Sequence, residues 1–149
     1  MQPYAQQHDL PLDPRSAGSA RGLVREFCIR HGFSEDVRDS GLVIASELVT
    51  NAVVHVRPRA GVPRECSLLL TWRRRDFEIA VWDYEPSVCP DLPAVEAEAE
   101  GGRGLAIVLA SAVGFTWMKA VGGKLVAARL RVPPAAWCAA VGSAAEGRL

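Results

Sequence analysis

Three polar residues recur at four-residue intervals within one strongly apolar segment, residues 42–56. Glu47, Asn51 and His55 occupy positions that share one side of an α-helix. Because their neighbours are almost all aliphatic, the segment predicts a helix that is buried nearly all the way round. A carboxylate in such a place is costly unless something compensates it. The row therefore indicates a pocket cut into the core, and the alternative is a structural Glu satisfied by hydrogen bonds.

A carboxylate and an amide one helical turn apart suit phosphate chemistry. Asn51 offers a neutral oxygen to Mg²⁺, an ion that keeps several waters and takes other ligands from phosphates. Glu47 is placed to act as a general base, or to orient a water or hydroxyl for attack on a terminal phosphate. His55 either touches phosphate or closes the pocket, and the structural role is favoured.

Two other features fit the same chemistry. Asp83 ends an apolar strand and can accept a hydrogen bond from an exocyclic amine, although Asp is also an ordinary turn former there. The segment GGRG at residues 101–104 directly precedes an apolar run. Glycines before a helix let backbone N–H groups approach an anion, but a tight helix entry needs glycine as well. Arg103 is a phosphate ligand or a solvated side chain.

Composition excludes several classes of function. The chain has 149 residues, which predicts one domain with a sizeable core. Lys plus Arg equals Asp plus Glu at 17 each, so the chain lacks the excess of positive charge that is typical of nucleic-acid-binding proteins. No apolar run reaches membrane-spanning length, and no signal peptide is evident. The four cysteines form no CxxC pair, which predicts free thiols in a reducing cytoplasm.

The first two predicted helices follow one another in the chain and do not alternate with strands. Residues 1–14 are an N-terminal tail or an edge strand, and residues 134–149 a C-terminal tail. Between them, a domain over residues 15–133 holds two helices, a hairpin, a long loop, a third helix and a second hairpin. The predicted spans are 16–32, 34–56, 65–72, 77–82, 105–112, 115–121 and 124–132. This order predicts an α+β two-layer sandwich. Ser34 is the predicted N-cap of the second helix, and His31 a charge-compatible residue at the end of the first.

The phrase SELVTNAVVH at residues 46–55, the strand-terminal Asp83, the loop and the GGRGL helix entry together resemble a known family. They are similar to the ATPase superfamily of gyrase, heat-shock chaperones, histidine kinases and mismatch-repair ATPases (the GHKL ATPases). Within it, the short chain and SELVTNAVVH resemble the bacterial anti-sigma factor serine kinases. The resemblance covers about residues 16–132. It implies a Bergerat-type fold, with a mixed, mostly antiparallel sheet and helices on one face.

The resemblance also implies roles for individual residues. Glu47 matches the catalytic base, Asn51 the magnesium ligand and Asp83 the carboxylate that binds the adenine amino group. The loop over residues 84–100 matches the ATP lid, and Gly102 and Gly104 match the glycine box that holds the phosphates. The expected nucleotide-binding set is Asn51, His55, Asp83, Gly102, Arg103, Gly104 and Leu105, with ATP and Mg²⁺ as cofactors.

The same resemblance implies partners. In these kinases the γ-phosphate goes to a serine of an anti-sigma factor antagonist, and the same protein sequesters a sigma factor, usually as a homodimer. The expectation for this chain is therefore a cytoplasmic serine/threonine kinase that binds neither nucleic acid nor membrane. The alternative is a degenerate, non-catalytic protein-binding module with weak or no ATP binding.

Three departures from the family pattern support that alternative. The first glycine box should continue Asp-x-Gly-x-Gly, but Glu85 and Ser87 replace its glycines. Leu125 stands where relatives often have Thr, whose hydroxyl helps Asp83 to bind adenine, so nucleotide affinity should be weaker. Glu85 is also expected to place a second negative charge near the pocket mouth.

Overall fold

A computed structural model describes residues 2–86 and 112–134 of the chain. Within them, two helices and five strands follow in the order β1 (Tyr4–Pro11), α1 (Ser16–Arg30), α2 (Glu35–His55), β2 (Glu65–Arg73), β3 (Asp76–Asp83), β4 (Gly114–Ala120) and β5 (Gly123–Arg131). The predicted third helix and the C-terminal tail from residue 135 onward lie outside the described residues. The domain boundaries at residues 15 and 133 stay predictions.

The five strands form one sheet in the order β1-β2-β3-β5-β4. Every neighbouring pair among these strands is antiparallel, whereas the resemblance implied a mixed, mostly antiparallel sheet. Both helices contribute to a core on one face of the sheet, which confirms the α+β two-layer architecture. Residues 4–11, for which the sequence allowed a tail or an edge strand, form the edge strand beside β2.

The ends of the helices follow from local sequence. Gly32 adopts φ +69° directly after α1, a left-handed conformation that glycine takes without steric cost. The Ser34 hydroxyl then accepts a hydrogen bond from the Val37 backbone N–H at 3.3 Å, which confirms Ser34 as the N-cap of α2. The two helices are thereby joined by a short, fixed turn and pack side by side.

The core lies between the helices and alternate residues of the central strands. Phe77, Ile79 and Val81 of β3 are buried on the helix side, as the two-residue period of a strand requires. The Phe27 ring of α1 stacks on Phe77 with ring centroids 5.2 Å apart. Asp83 continues the same series by two residues, so the strand delivers its carboxylate to the helix side of the sheet.

Helix α2 is not buried all the way round, so that prediction is wrong. Val43 is 37% exposed and Val54 is 67% exposed, and both lie on the side of α2 away from the sheet. Ile44, Leu48 and Ala52 face the core and are buried. The helix is therefore apolar on its solvent side as well, which periodicity alone cannot distinguish from burial.

Two cysteines, Cys28 and Cys66, are free and buried in the described part of the chain. Burial raises the pKa of the Cys28 thiol to about 12. Burial, with the Asp83 carboxylate nearby, raises the pKa of the Cys66 thiol to about 11. Both thiols are therefore protonated and unreactive at neutral pH, as expected of structural cysteines.

Among the described residues, no helix combines the length and hydropathy that crossing a bilayer requires.

His31 lies at the C-terminal end of α1, where the sequence predicted a charge-compatible residue, but aromatic contacts dominate its surroundings. Its ring lies among aromatic side chains, with centroid distances of 4.4 Å to Phe27, 4.7 Å to Tyr4 and 5.2 Å to Trp72. Burial, with a smaller contribution from the neighbouring Arg30 charge, lowers the pKa of His31. The neutral imidazole is therefore the form that fits, and it joins α1 to the edge strand.

This environment predicts a pH dependence of stability. Because the folded-state pKa of His31 lies below its unfolded value, its contribution is present above about pH 6.5 and is lost as pH falls further. We expect chemical denaturation at pH 7.5 and 5.5 to show a larger loss for the wild type than for His31→Phe. His8→Gln serves as the control. An identical loss in wild type and His31→Phe would contradict the assignment.

Candidate functional site

Helix α2 and strands β3 and β5 enclose a small pocket, called here the α2–β3–β5 pocket. Its volume is about 20 Å³, roughly the space of one water molecule. Among the described residues that line it, four side chains are polar, two from the helix and one from each strand, and the others are apolar. The lining residues are Leu48, Asn51, Ala52, His55, Val81, Asp83, Lys124 and Val126.

Helix α2 supplies one wall. Asn51 is half-buried and His55 is exposed at the last residue of the helix. The structure thus brings two members of the predicted polar row to the same pocket as Asp83, which lies 28 residues beyond His55 in sequence. This convergence depends on α2 packing across β3, where its buried residues meet the core face of the strand.

Glu47 is not among the residues that line this pocket. It is half-buried one turn before Asn51, toward the side of α2 that carries the exposed Val43 and Val54. Its carboxylate forms no hydrogen bond or ion pair with another described residue. Glu47 therefore lies one helical turn from the pocket residue Asn51 and is not part of the pocket lining.

Asp83 forms the floor of the pocket. Its side chain is 4% exposed, and its Oδ1 atom accepts two hydrogen bonds. One comes from the Glu85 backbone N–H at 2.9 Å, and the other from Lys124 Nζ at 3.0 Å. The second bond is charge-assisted, which makes it stronger than a bond between neutral groups. The carboxylate expected to meet a base amine is thus already held by an ammonium.

Lys124 lines the pocket, and sequence reasoning did not identify it as a site residue. Its side chain is 5% exposed, and Nζ also donates to the Glu85 carbonyl oxygen at 3.0 Å. The antiparallel register of β3 and β5 places Lys124 directly opposite Asp83. Counting the two-residue period from the glycine hairpin at residues 122–123 would have identified it, because residues that are paired across strands point to the same face.

The prediction that Leu125 lies beside the base is wrong. Leu125 pairs with Trp82, and both point away from the helices because adjacent strand residues alternate between faces. Gly123 permits this close approach of the two strands, because a Cβ atom there would overlap the Trp82 ring and the Asp83 carbonyl oxygen. The residue that decides the chemistry next to Asp83 is therefore Lys124.

The sequence predicted that Glu85 places a second negative charge near the pocket mouth, but in the structure this carboxylate is buried and paired. Its side chain is 2% exposed and forms an ion pair with Arg59, Oε1 to Nη2, at 3.1 Å. The same guanidinium donates to the Tyr84 carbonyl oxygen at 3.3 Å. Where the family pattern has a glycine, this chain thus has a buried carboxylate that fixes the segment after β3. Asp83, Glu85, Arg59 and Lys124 are called below the Asp83 network.

The remaining predicted phosphate-binding residues, Gly102, Arg103, Gly104 and Leu105, lie outside the described residues, as does the predicted lid from residue 87 to residue 100. Among residues 2–86 and 112–134, no group of three or more His, Cys, Asp or Glu side chains is arranged to hold a metal ion. Asn51 therefore fits a magnesium ion only if phosphate oxygens supply further ligands. Asp83 has the acceptor chemistry for a base amine, and its Oδ1 atom already accepts a hydrogen bond from Lys124.

Comparison with known proteins identifies the family. A family model described as the histidine kinase-like ATPase domain matches residues 10–129. The chain belongs to this family. The match confirms the family that the sequence motifs indicated, and membership in an ATPase domain family implies ATP as the ligand.

A solved structure shows the same fold. The chain is similar to the structure of the RsbU and RsbW domains of Rv1364c from Mycobacterium tuberculosis, with a TM-score of 0.64 and 18% sequence identity. The alignment covers 87% of this chain and 32% of that one, so the chain spans about a third of its structural relative. No curated protein matches the sequence.

The buried Asp83–Lys124 pair predicts a large coupling free energy. Removing one charge leaves the other buried without a partner, so Asp83→Leu and Lys124→Met should each destabilise the fold by about 3 kcal/mol. The double variant should lose less than the sum, with a coupling of about 1–3 kcal/mol in urea denaturation.

The exposed pair Arg30–Glu26 is the matched control, because its 2.9 Å separation is similar but its side chains are 55% and 66% exposed. Its coupling should stay below about 1 kcal/mol. Equal couplings for the two pairs would show that burial contributes nothing at Asp83.

Proposed function

We propose that this histidine kinase-like ATPase domain is an ATP-dependent regulator of the anti-sigma factor serine kinase type. The observation that supports it best is the convergence of Asn51, His55 and Asp83 on one pocket between α2, β3 and β5. In a domain of this family, an amide on the helix and a carboxylate at the strand end are the groups needed at the two ends of a nucleotide.

Each site residue has a proposed contact with a different part of the nucleotide. Asp83 would accept the adenine amine at the pocket floor, and Asn51 would hold Mg²⁺ together with phosphate oxygens and water. Mg²⁺, when bound, neutralises charge that develops on the phosphates. The glycine segment at residues 101–104, with Arg103 and Leu105, would hold the phosphates, and His55 would close the helix side of the pocket.

Glu47 is the proposed general base. Its half-buried position one helical turn from Asn51 suits a group that must meet a protein substrate, and its carboxylate is not engaged by any described residue. It would accept the hydroxyl proton of a serine as that oxygen attacks the γ-phosphate and ADP leaves. The substrate would be a serine of an anti-sigma factor antagonist, and the enzyme would be a serine/threonine kinase.

Sequestration of a sigma factor, a homodimeric state and a cytoplasmic location complete the proposal. They rest on the sequence resemblance and on the fold shared with a structure that includes an RsbW domain. The exposed aliphatic side chains of α2, Val43 and Val54, are compatible with a protein partner on that side.

Nucleotide binding is the first test. Isothermal titration with Mg·ATP should show one site, and Asp83→Asn should reduce or abolish binding. Asn51→Ala should weaken binding in Mg²⁺ while leaving any binding in EDTA unchanged, because the amide acts through the metal. Thr50→Ala, on the exposed side of the same helix, is the control. Absence of binding at millimolar ATP would refute the proposal.

Phosphoryl transfer is the second test. With γ-labelled ATP and a candidate antagonist, Glu47→Gln should bind ATP with wild-type affinity but lose transfer by about 100-fold or more, the size expected of general base catalysis. Transfer at the wild-type rate would reject Glu47 as the base.

A second candidate function is a non-catalytic module that acts through protein contact. The Asp83–Lys124 ion pair favours it, because the pocket satisfies its own carboxylate without any ligand. The titration with Mg·ATP distinguishes the two functions, because a module that acts only through protein contact does not need to bind ATP at physiological concentrations.

A further inference from the structure

We propose that Lys124 determines nucleotide affinity by acting as an internal competitor for Asp83. In the nucleotide-free protein its ammonium donates to Asp83 Oδ1, the acceptor that the base amine would use. The inference rests on the proposed function, because it assumes that Asp83 is the base-binding carboxylate.

The geometry supports competition rather than assistance. Lys124 Nζ lies 3.0 Å from Asp83 Oδ1 and 3.0 Å from the Glu85 carbonyl oxygen, so it donates to both acceptors at the pocket floor. A base amine that binds Asp83 Oδ1 must compete with the lysine ammonium for this oxygen. The pocket itself measures about 20 Å³, close to the space of one water molecule.

The two donors are not equal. Both donors make a charge-assisted bond because the carboxylate is ionised, but only the ammonium adds an opposite charge of its own. Displacement also breaks the Lys124–Glu85 bond and moves an ammonium from a buried pair into solvent. The lysine side chain is long and flexible, so it can leave Asp83 without a steric clash. The cost of displacement is therefore the loss of its two hydrogen bonds, and the lysine can return when the nucleotide leaves.

The Asp83 network keeps the competitor in place. Arg59 pairs with the buried Glu85 side chain at 3.1 Å, and the Glu85 backbone N–H donates to Asp83 at 2.9 Å. Residue 85 is therefore held through both its side chain and its backbone N–H, which keeps its carbonyl oxygen in place to accept from Lys124. A glycine at residue 85 would lack the carboxylate that makes this attachment to Arg59.

The direct test is the affinity for Mg·ATP of Lys124 variants, measured by isothermal titration. Lys124→Ala should bind about 10- to 100-fold more tightly than the wild type, the value of a hydrogen bond to a charged group. Lys124→Thr keeps a hydroxyl donor for Asp83 and should bind more tightly as well. Lys119→Ala removes the only other lysine of the chain, which is exposed, and should bind like the wild type.

The outcomes separate the inference from the function. Equal affinities for wild type and both Lys124 variants would overturn the inference and leave ATP binding established. Weaker binding in the variants would also overturn it, because Lys124 would then contact the nucleotide. No binding by any protein at millimolar ATP would overturn the inference together with the proposed function.

A measurement on the wild type keeps the inference testable if the variants fail to fold. Amine labelling followed by mass spectrometry should show slow modification of Lys124 and fast modification of Lys119 without nucleotide. Saturating Mg·ATP should accelerate labelling of Lys124 several-fold and leave Lys119 unchanged. A rate at Lys124 that equals the rate at Lys119 without nucleotide, or that ATP leaves unchanged, would overturn the inference.

Discussion

The buried ion pair between Asp83 and Lys124 is the constraint on which the rest of the site depends. Both side chains are at least nine-tenths removed from solvent, and each is costly to bury alone. They are compatible with the core because the β3–β5 register places them opposite each other. The Glu85 backbone supplies a donor to Asp83 and an acceptor to Lys124, which satisfies more of the polar atoms of the pair.

The pair also sets the character of the α2–β3–β5 pocket. The proposed function needs Asp83 as an acceptor for the base, and here its Oδ1 atom accepts a hydrogen bond from Lys124. The proposal therefore makes the fold and the nucleotide affinity depend on the same two residues. Asn51 and His55 on α2 are affected only indirectly, since neither forms a hydrogen bond with the pair among the described residues.

Much of the fold could be predicted from the sequence, because its signals are local. The Ser34 cap, the Gly32 stop and the alternation of β3 each reflect the preference of a few neighbouring residues. The predictions that were wrong concerned features that depend on tertiary contacts. Whether an aliphatic face of α2 is buried depends on which residues cover it. The surroundings of His31 depend on aromatic side chains from distant elements. Lys124 was missed because its partner lies 41 residues away and only strand register brings them together.

The most direct measurement is the NMR spectrum of the lysine ammonium groups, which is simple because the chain has only two lysines, Lys119 and Lys124. In nucleotide-free protein, the Lys124 Nζ signal should be shifted and protected from exchange by its bonds to Asp83 and Glu85. Saturating Mg·ATP should convert it to a solvent-exchanging signal like that of Lys119. A Lys124 signal that stays protected while ATP is bound would contradict the account.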